Sequence, residues 1–150
     1  MMITTNAKLA ETLALVAAMP PAATANTERF TSVVDMGNFH QALVVVQLGD
    51  MAAETVTVKA YACNADGSGA IVLAGNSPAV RPASAADNDG KQLLMNVRAE
   101  DLLESGLHHL KIGVVTGGAT GGPVSAVVMA HPRQGWGTAH NAASVAAVAG

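Results

Sequence analysis

Five histidines are the residues of this 150-residue chain with the most obvious capacity for chemistry. A neutral imidazole ligates metals and titrates near physiological pH. Their spacing argues against a metal centre. His108 and His109 are adjacent, so in a strand they point to opposite faces, and His40, His131 and His140 are dispersed. The single cysteine, Cys63, excludes an internal disulfide framework and any multi-cysteine metal site, and reads as a small apolar residue at a strand end. Nucleophilic catalysis finds no Gly-x-Ser-x-Gly elbow, and Ser125 lies within a strand-like Pro-Val-Ser-Ala-Val-Val run. The Gly-rich loop 117–122 invites a phosphate-binding reading. It lacks the Lys that such a loop needs and leads into Pro123 and a strand, so a hairpin connection is expected. Asp87-Asn88-Asp89-Gly90 matches a fragment of a calcium loop, but position 96, where a bidentate Glu would stand, is Asn. An Asx-rich turn is expected there and at Asn64-Ala65-Asp66-Gly67. Glu100, Asp101 and Glu104 read as a solvated acidic face. No catalytic residue, no metal and no cofactor is predicted.

The elements that would position these side chains are mostly strands. Glu54 to Cys63 alternates, with Val56, Val58 and Ala60 on one face and Thr55, Thr57, Lys59 and Tyr61 on the other. Gln41 to Leu48 contains Leu43-Val44-Val45-Val46, compatible with a strand buried on both faces. Phe30–Met36, 91–98, 107–116 and 123–131 are further strand candidates, with 75–90 as a long irregular connection. Ala99 to Gly106 reads as about one helical turn, acidic at its start and stopped by Gly106. The fold class expected is mainly β, an antiparallel β-sandwich or barrel with one short helix, an extended N-terminal arm and a C-terminal tail.

Three regions follow: an N-terminal arm 1–29, a β-domain 30–133 and a tail 134–150 with Trp136 as its one aromatic anchor. Within the arm, Leu9, Leu13 and Val16 share a helical face, whereas Leu13, Leu15 and Ala17 alternate; Pro20-Pro21 would end a helix. The apolar run before Ala23-Thr24-Ala25 imitates a secretory leader, but one Lys and the intervening Glu11 argue against it. The chain is 50% hydrophobic, yet 30 Ala and 15 Gly leave few bulky side chains for a core. A net charge of -3 with eight unclustered Lys and Arg argues against nucleic acid and polybasic membrane anchoring. No run approaches the ~18 apolar residues of a spanning helix.

Asn38-Phe39-His40, the Ala42–Leu48 run and Glu54-Thr55-Val56-Thr57-Val58-Lys59-Ala60-Tyr61 together resemble the opening of small virion structural proteins of tailed bacteriophages. Leu93-Leu94-Met95-Asn96-Val97-Arg98-Ala99-Glu100-Asp101-Leu102 is similar to that group's strand ending in Ala-acid-Asp-Leu. Gly106-Leu107-His108-His109-Leu110-Lys111-Ile112, a Gly-rich hairpin, a hydrophobic strand and Pro132-Arg133 follow in the same order, covering residues 33–134. Two positions depart from the pattern: Gln134 replaces the usual Tyr after Pro-Arg, and histidine stands at 108 and 109 where an aromatic is expected. The resemblance implies a capsid decoration (cement) protein on the virion capsid surface, without enzymatic activity. Its implied partners are the major capsid protein and copies of itself, often as a homotrimer. On this reading Phe39, His40, Arg133 and Trp136 are the candidate partner-contact residues. A tail or fibre-base structural protein is the alternative. A secreted carbohydrate-binding β-sandwich is a further one, with Tyr61 and Trp136 as candidate platforms. Arms that order on a partner fit the cement role, and removal of residues 1–29 is expected to leave a folded core.

Overall fold

A computed structural model of the chain describes residues 8–51, 55–73, 79–82, 89–118, 122–133, 140–141 and 143–149. Its strands are β1 (Ala14–Ala23), β2 (Glu28–Phe30), β3 (Val34–Asp35), β4 (Phe39–Leu48), β5 (Thr55–Cys63), β6 (Ile71–Val72), β7 (Ala79–Pro82), β8 (Gln92–Arg98), β9 (His109–Thr116) and β10 (Pro123–Pro132). The first sheet runs β1-β10-β4-β8. In the second, the order is β2-β9-β5-β6, with β3 also on β9 and β7 also on β5. Every strand pair is antiparallel, and both sheets contribute to one buried apolar cluster, giving the expected sandwich.

Period-two alternation selects the core. Val56, Val58, Ala60 and Ala62 of β5 are buried, as are Val124, Ala126, Val128 and Ala130 of β10 and Leu110, Ile112 and Val114 of β9. In β4 the buried set is Phe39, Ala42, Val44, Val46 and Leu48, while Leu43 and Val45 are half-buried on the outer face. That strand is therefore not closed over on both sides, as its unbroken apolar run suggests.

The N-terminal segment is not a detached arm. After a single turn, α1 (Leu9–Thr12), the chain forms β1 along the edge of β10, where Ala14, Val16, Ala17 and Met19 enter the core. Register shifts between Leu15 and Ala17 and between Met19 and Ala22 hide the alternation from a linear reading. Pro20-Pro21 is tolerated because it occupies the second irregularity of an edge strand, where ladder donors are dispensable. Arg29 supplies donors at this corner: its guanidinium bonds to Pro20 O, Ala22 O and Val124 O, tying β2 of the second sheet to the edge of the first.

His140 and Asn141 of the tail lie on the same edge. Leu15 N donates to His140 Nδ1 at 3.0 Å, Asn141 N donates to Leu15 O at 2.8 Å, and His140 Nε2 is 2.8 Å from Ala10 O. A row of β1 groups left open by the sheet is thereby covered. From the sequence, residues 75–90 read as a long irregular connection, but β7 pairs Ala79–Pro82 with Val58–Thr55 of β5; two prolines nearby mask its strand character. A 3₁₀ segment at Ala99–Ser105 is the short helix anticipated there, anchored by buried Leu102 and stopped by Gly106 at φ 71°.

Candidate functional site

Chemistry-bearing side chains converge on the outer face of the first sheet, at the start of β4. Gln41 pairs with His131 of β10, but the next partners are Phe39 and Pro132, so His40 is an extra residue on β4. Such a bulge breaks the alternation and re-aims a side chain. Here the His40 and His131 rings stack at 5.6 Å between centroids and 23° between planes. Gln41 also pairs with Arg98 of β8, which places His131, Gln41 and Arg98 in one cross-strand row.

Two guanidiniums complete this end. Arg133 N donates to Asn38 O at 2.9 Å and its Nε donates to Phe39 O at 3.0 Å, so the side chain is held from its base. Arg98 N donates to Asp101 Oδ2 at 2.7 Å, and its Nη1 lies 3.3 Å from Glu100 Oε1 in an ion pair exposed on both sides (68% and 65%). Arg98, Glu100 and Arg133 line a groove of about 590 Å³ together with His40, Gln41, Ala99 and Leu103. Burial, and secondarily the charge of His40, holds the His131 imidazole below its ordinary pKa. In the folded chain it favours the neutral form.

Beyond this row the face turns apolar. Leu15, Met129 and Leu43 form one cross-strand row ending in Asn96, and Ala18, Val127, Val45 and Leu94 form the next. Leu94 is 66% exposed. Ser125, Gln47 and Gln92 then close the face with polar groups.

Of the residues singled out from the sequence, His40 and Arg133 meet in the groove. Phe39 is buried, 7% exposed, within the apolar core cluster, and its carbonyl oxygen accepts from Arg133 Nε. Trp136 lies outside the described residues, as do Asp87 and Asn88 of the Asx-rich segment. Asp89 accepts a hydrogen bond from Met51 N at 2.8 Å. Arg98, His131, Glu100 and Leu103 were not anticipated as a site. Parity could have placed residues 41 and 131 on outer faces, but not beside each other.

Other candidates resolve into structure. Cys63 is fully buried, and burial pushes its thiol pKa up against the opposing influence of Lys111, which makes a thiolate nucleophile unfavourable. Asp66 accepts from the Ser68 hydroxyl and amide, which hold its carboxyl below the usual range and build a turn through Gly67 at φ 83°. Among the described residues, no three His, Cys, Asp or Glu side chains are grouped to hold a metal.

On the second sheet, Tyr61 Oη donates to Glu28 Oε1 at 2.7 Å, its ring meets Phe30 edge-on at 5.9 Å, and Lys111 Nζ sits 4.2 Å from the centre of the Phe30 ring. Gly113 makes room for this cluster, since a Cβ there would overlap Glu28 Oε1 and come within 2.9 Å of Tyr61 Cε2. Burial, then the Glu28 hydrogen bond and charge, push the Tyr61 pKa up to about 12. A phenol with a raised folded pKa adds stability that is complete below its unfolded pKa near 10 and is lost as pH rises through the folded value. Tyr61→Phe should cost ~0.5–1.5 kcal/mol at pH 7. It should also flatten the fall in the urea midpoint between pH 10 and 12. An unchanged alkaline slope would remove this assignment.

No protein-family profile matches the chain, and no curated protein matches it. Among solved structures, it is similar to the SPBc2 prophage-derived protein YomS, at 12% identity over 87% of this chain and 97% of that one, with a TM-score of 0.49. It is also similar to a chain from the disulfide-linked pili formed by Bacillus endospore appendages, at 8% identity over 89% of this chain and 98% of that one, with a TM-score of 0.48.

Proposed function

We propose that the chain is a non-enzymatic structural protein of a tailed-phage particle, a decoration (cement) protein that binds the outer surface of the capsid. The observation that carries this reading is the outer face of the first sheet: the apolar run Leu15, Met129 and Leu43, and the apolar row from Ala18 to Leu94, bordered by polar residues at both ends. An apolar centre within a polar rim is the anatomy of a protein–protein contact. Exposed Leu94 and the half-buried Leu43, Val45, Val127 and Met129 gain from losing water there. The motif resemblance supplies the particle, and the face supplies the contact. Assembly as a homotrimer, with the major capsid protein as the underlying partner, belongs to the same proposal.

Quantitative mass spectrometry of purified particles tests it. The chain should be present at a copy number comparable to that of the major capsid protein. A copy number far below that would move it to a tail or fibre base, and its absence from particles would overturn the reading.

A further inference from the structure

We infer that the groove at the bulged end of the first sheet binds the carboxylate side chains of an acidic peptide segment of a partner protein. This deepens the contact reading above by naming the partner's chemistry, and rests on that reading for where the peptide comes from. Arg98 of β8, His40 of β4 and Arg133, just after β10, line the groove, with His131 stacked on His40; Glu100 also lines it, and Asp101 accepts from the Arg98 backbone N–H. A chain of net charge -3 thus concentrates two of its eight Lys and Arg around one concavity. Anchoring Arg133 through Nε leaves its terminal amino groups as a planar donor pair, the geometry that matches a carboxylate.

Glu100 already shows the mode of binding. Its carboxylate rests on Arg98 at 3.3 Å in an exposed pair, the kind that contributes little and exchanges readily. It stands where a ligand carboxylate would sit. None of the side chains at positions 134–150 is acidic. A phosphate is a poorer match, since a dianion would meet the Glu100 charge directly. Leu103, 68% exposed at the groove wall, offers apolar contact to a peptide but nothing to a free ion.

Fluorescence anisotropy of the full chain with a labelled octapeptide carrying four Glu residues tests the site, with the four-Gln peptide as control. Arg98→Gln and Arg133→Gln should each weaken binding about tenfold. Arg133→Lys, which keeps the charge but loses the fork, should recover only part of the loss. Removing the competitor by Glu100→Gln should tighten binding about threefold. Lys59→Gln on the second sheet loses the same charge and should change nothing.

Equal affinity for the Gln peptide would overturn the proposal, as would equal weakening by Lys59→Gln or displacement by inorganic phosphate at matched ionic strength. An oligomer in sedimentation that dissolves in Arg133→Gln without peptide would instead assign the groove to a second copy. Lost peptide specificity with normal copy number in particles removes the groove assignment alone. Intact peptide binding by a chain absent from particles removes the cement reading alone.

Discussion

Removing residues 1–23 should abolish cooperative folding. The sequence alone points the opposite way, to an arm whose loss spares the core. But β1 runs along β10 and places Ala14, Val16, Ala17 and Met19 in the core. Burying Val16 and Met19 contributes ~1.5–3 kcal/mol each. Truncation also removes the hydrogen-bonding partner of the β10 edge, opens the core side of Ala126 and Val128 to water, and strips Arg29 of two carbonyl acceptors. Together these losses approach the ~5–15 kcal/mol that holds a typical domain folded. Urea unfolding of the 24–150 fragment, followed by circular dichroism, should show no sigmoidal transition. A transition with the midpoint of the full chain would show that β1 is dispensable.

Leu110→Ala should destabilise the protein by ~2–5 kcal/mol, toward the upper end of that range. Leu110 is fully buried on β9, with Val34 of β3 on one side and Ala62 of β5 on the other. The cost of such a truncation depends on whether neighbours can move into the space. An alanine methyl cannot reach into a cavity, and β5 and β10 place Ala60, Ala62, Ala126 and Ala130 on the same core faces. In an Ala-rich core each large side chain fills volume that nothing else can. Leu94→Ala provides the contrast, because that side chain is mostly exposed and its loss should stay within ~0.5 kcal/mol. A shift in the urea midpoint with constant slope would measure both. Similar small effects for the two would contradict the packing argument.

These two results bear on how much of the molecule its chain spells out locally. β5 is legible because Val56, Val58 and Ala60 alternate with Thr55, Thr57, Lys59 and Tyr61, and the pleat converts that period directly into an inner and an outer face. Gly106 was legible as a stop because its left-handed backbone suits glycine. β1 was not, since alanines carry almost no periodic signal, two register shifts interrupt what remains, and Pro20-Pro21 argues for a break unless Arg29 is known to stand beside it. β7 was hidden for a related reason, with prolines in a segment whose partner is more than twenty residues away.

The groove divides along the same line. His40 and Arg133 could be marked from their motifs, and the absence of catalytic spacing followed from composition and order alone. Their meeting with His131, Arg98 and Glu100 could not. It depends on the one extra residue at His40 and on β4 lying between β10 and β8, strands contributed by distant parts of the chain. A residue's face is set by its immediate neighbours through the two-residue pleat, so it is written locally. Which faces come to lie side by side is set by long-range hydrogen bonding and by burial of the whole apolar cluster. That choice exists only once the sheets have closed on each other, and it is what brings dispersed arginines and histidines together at one end of the sheet.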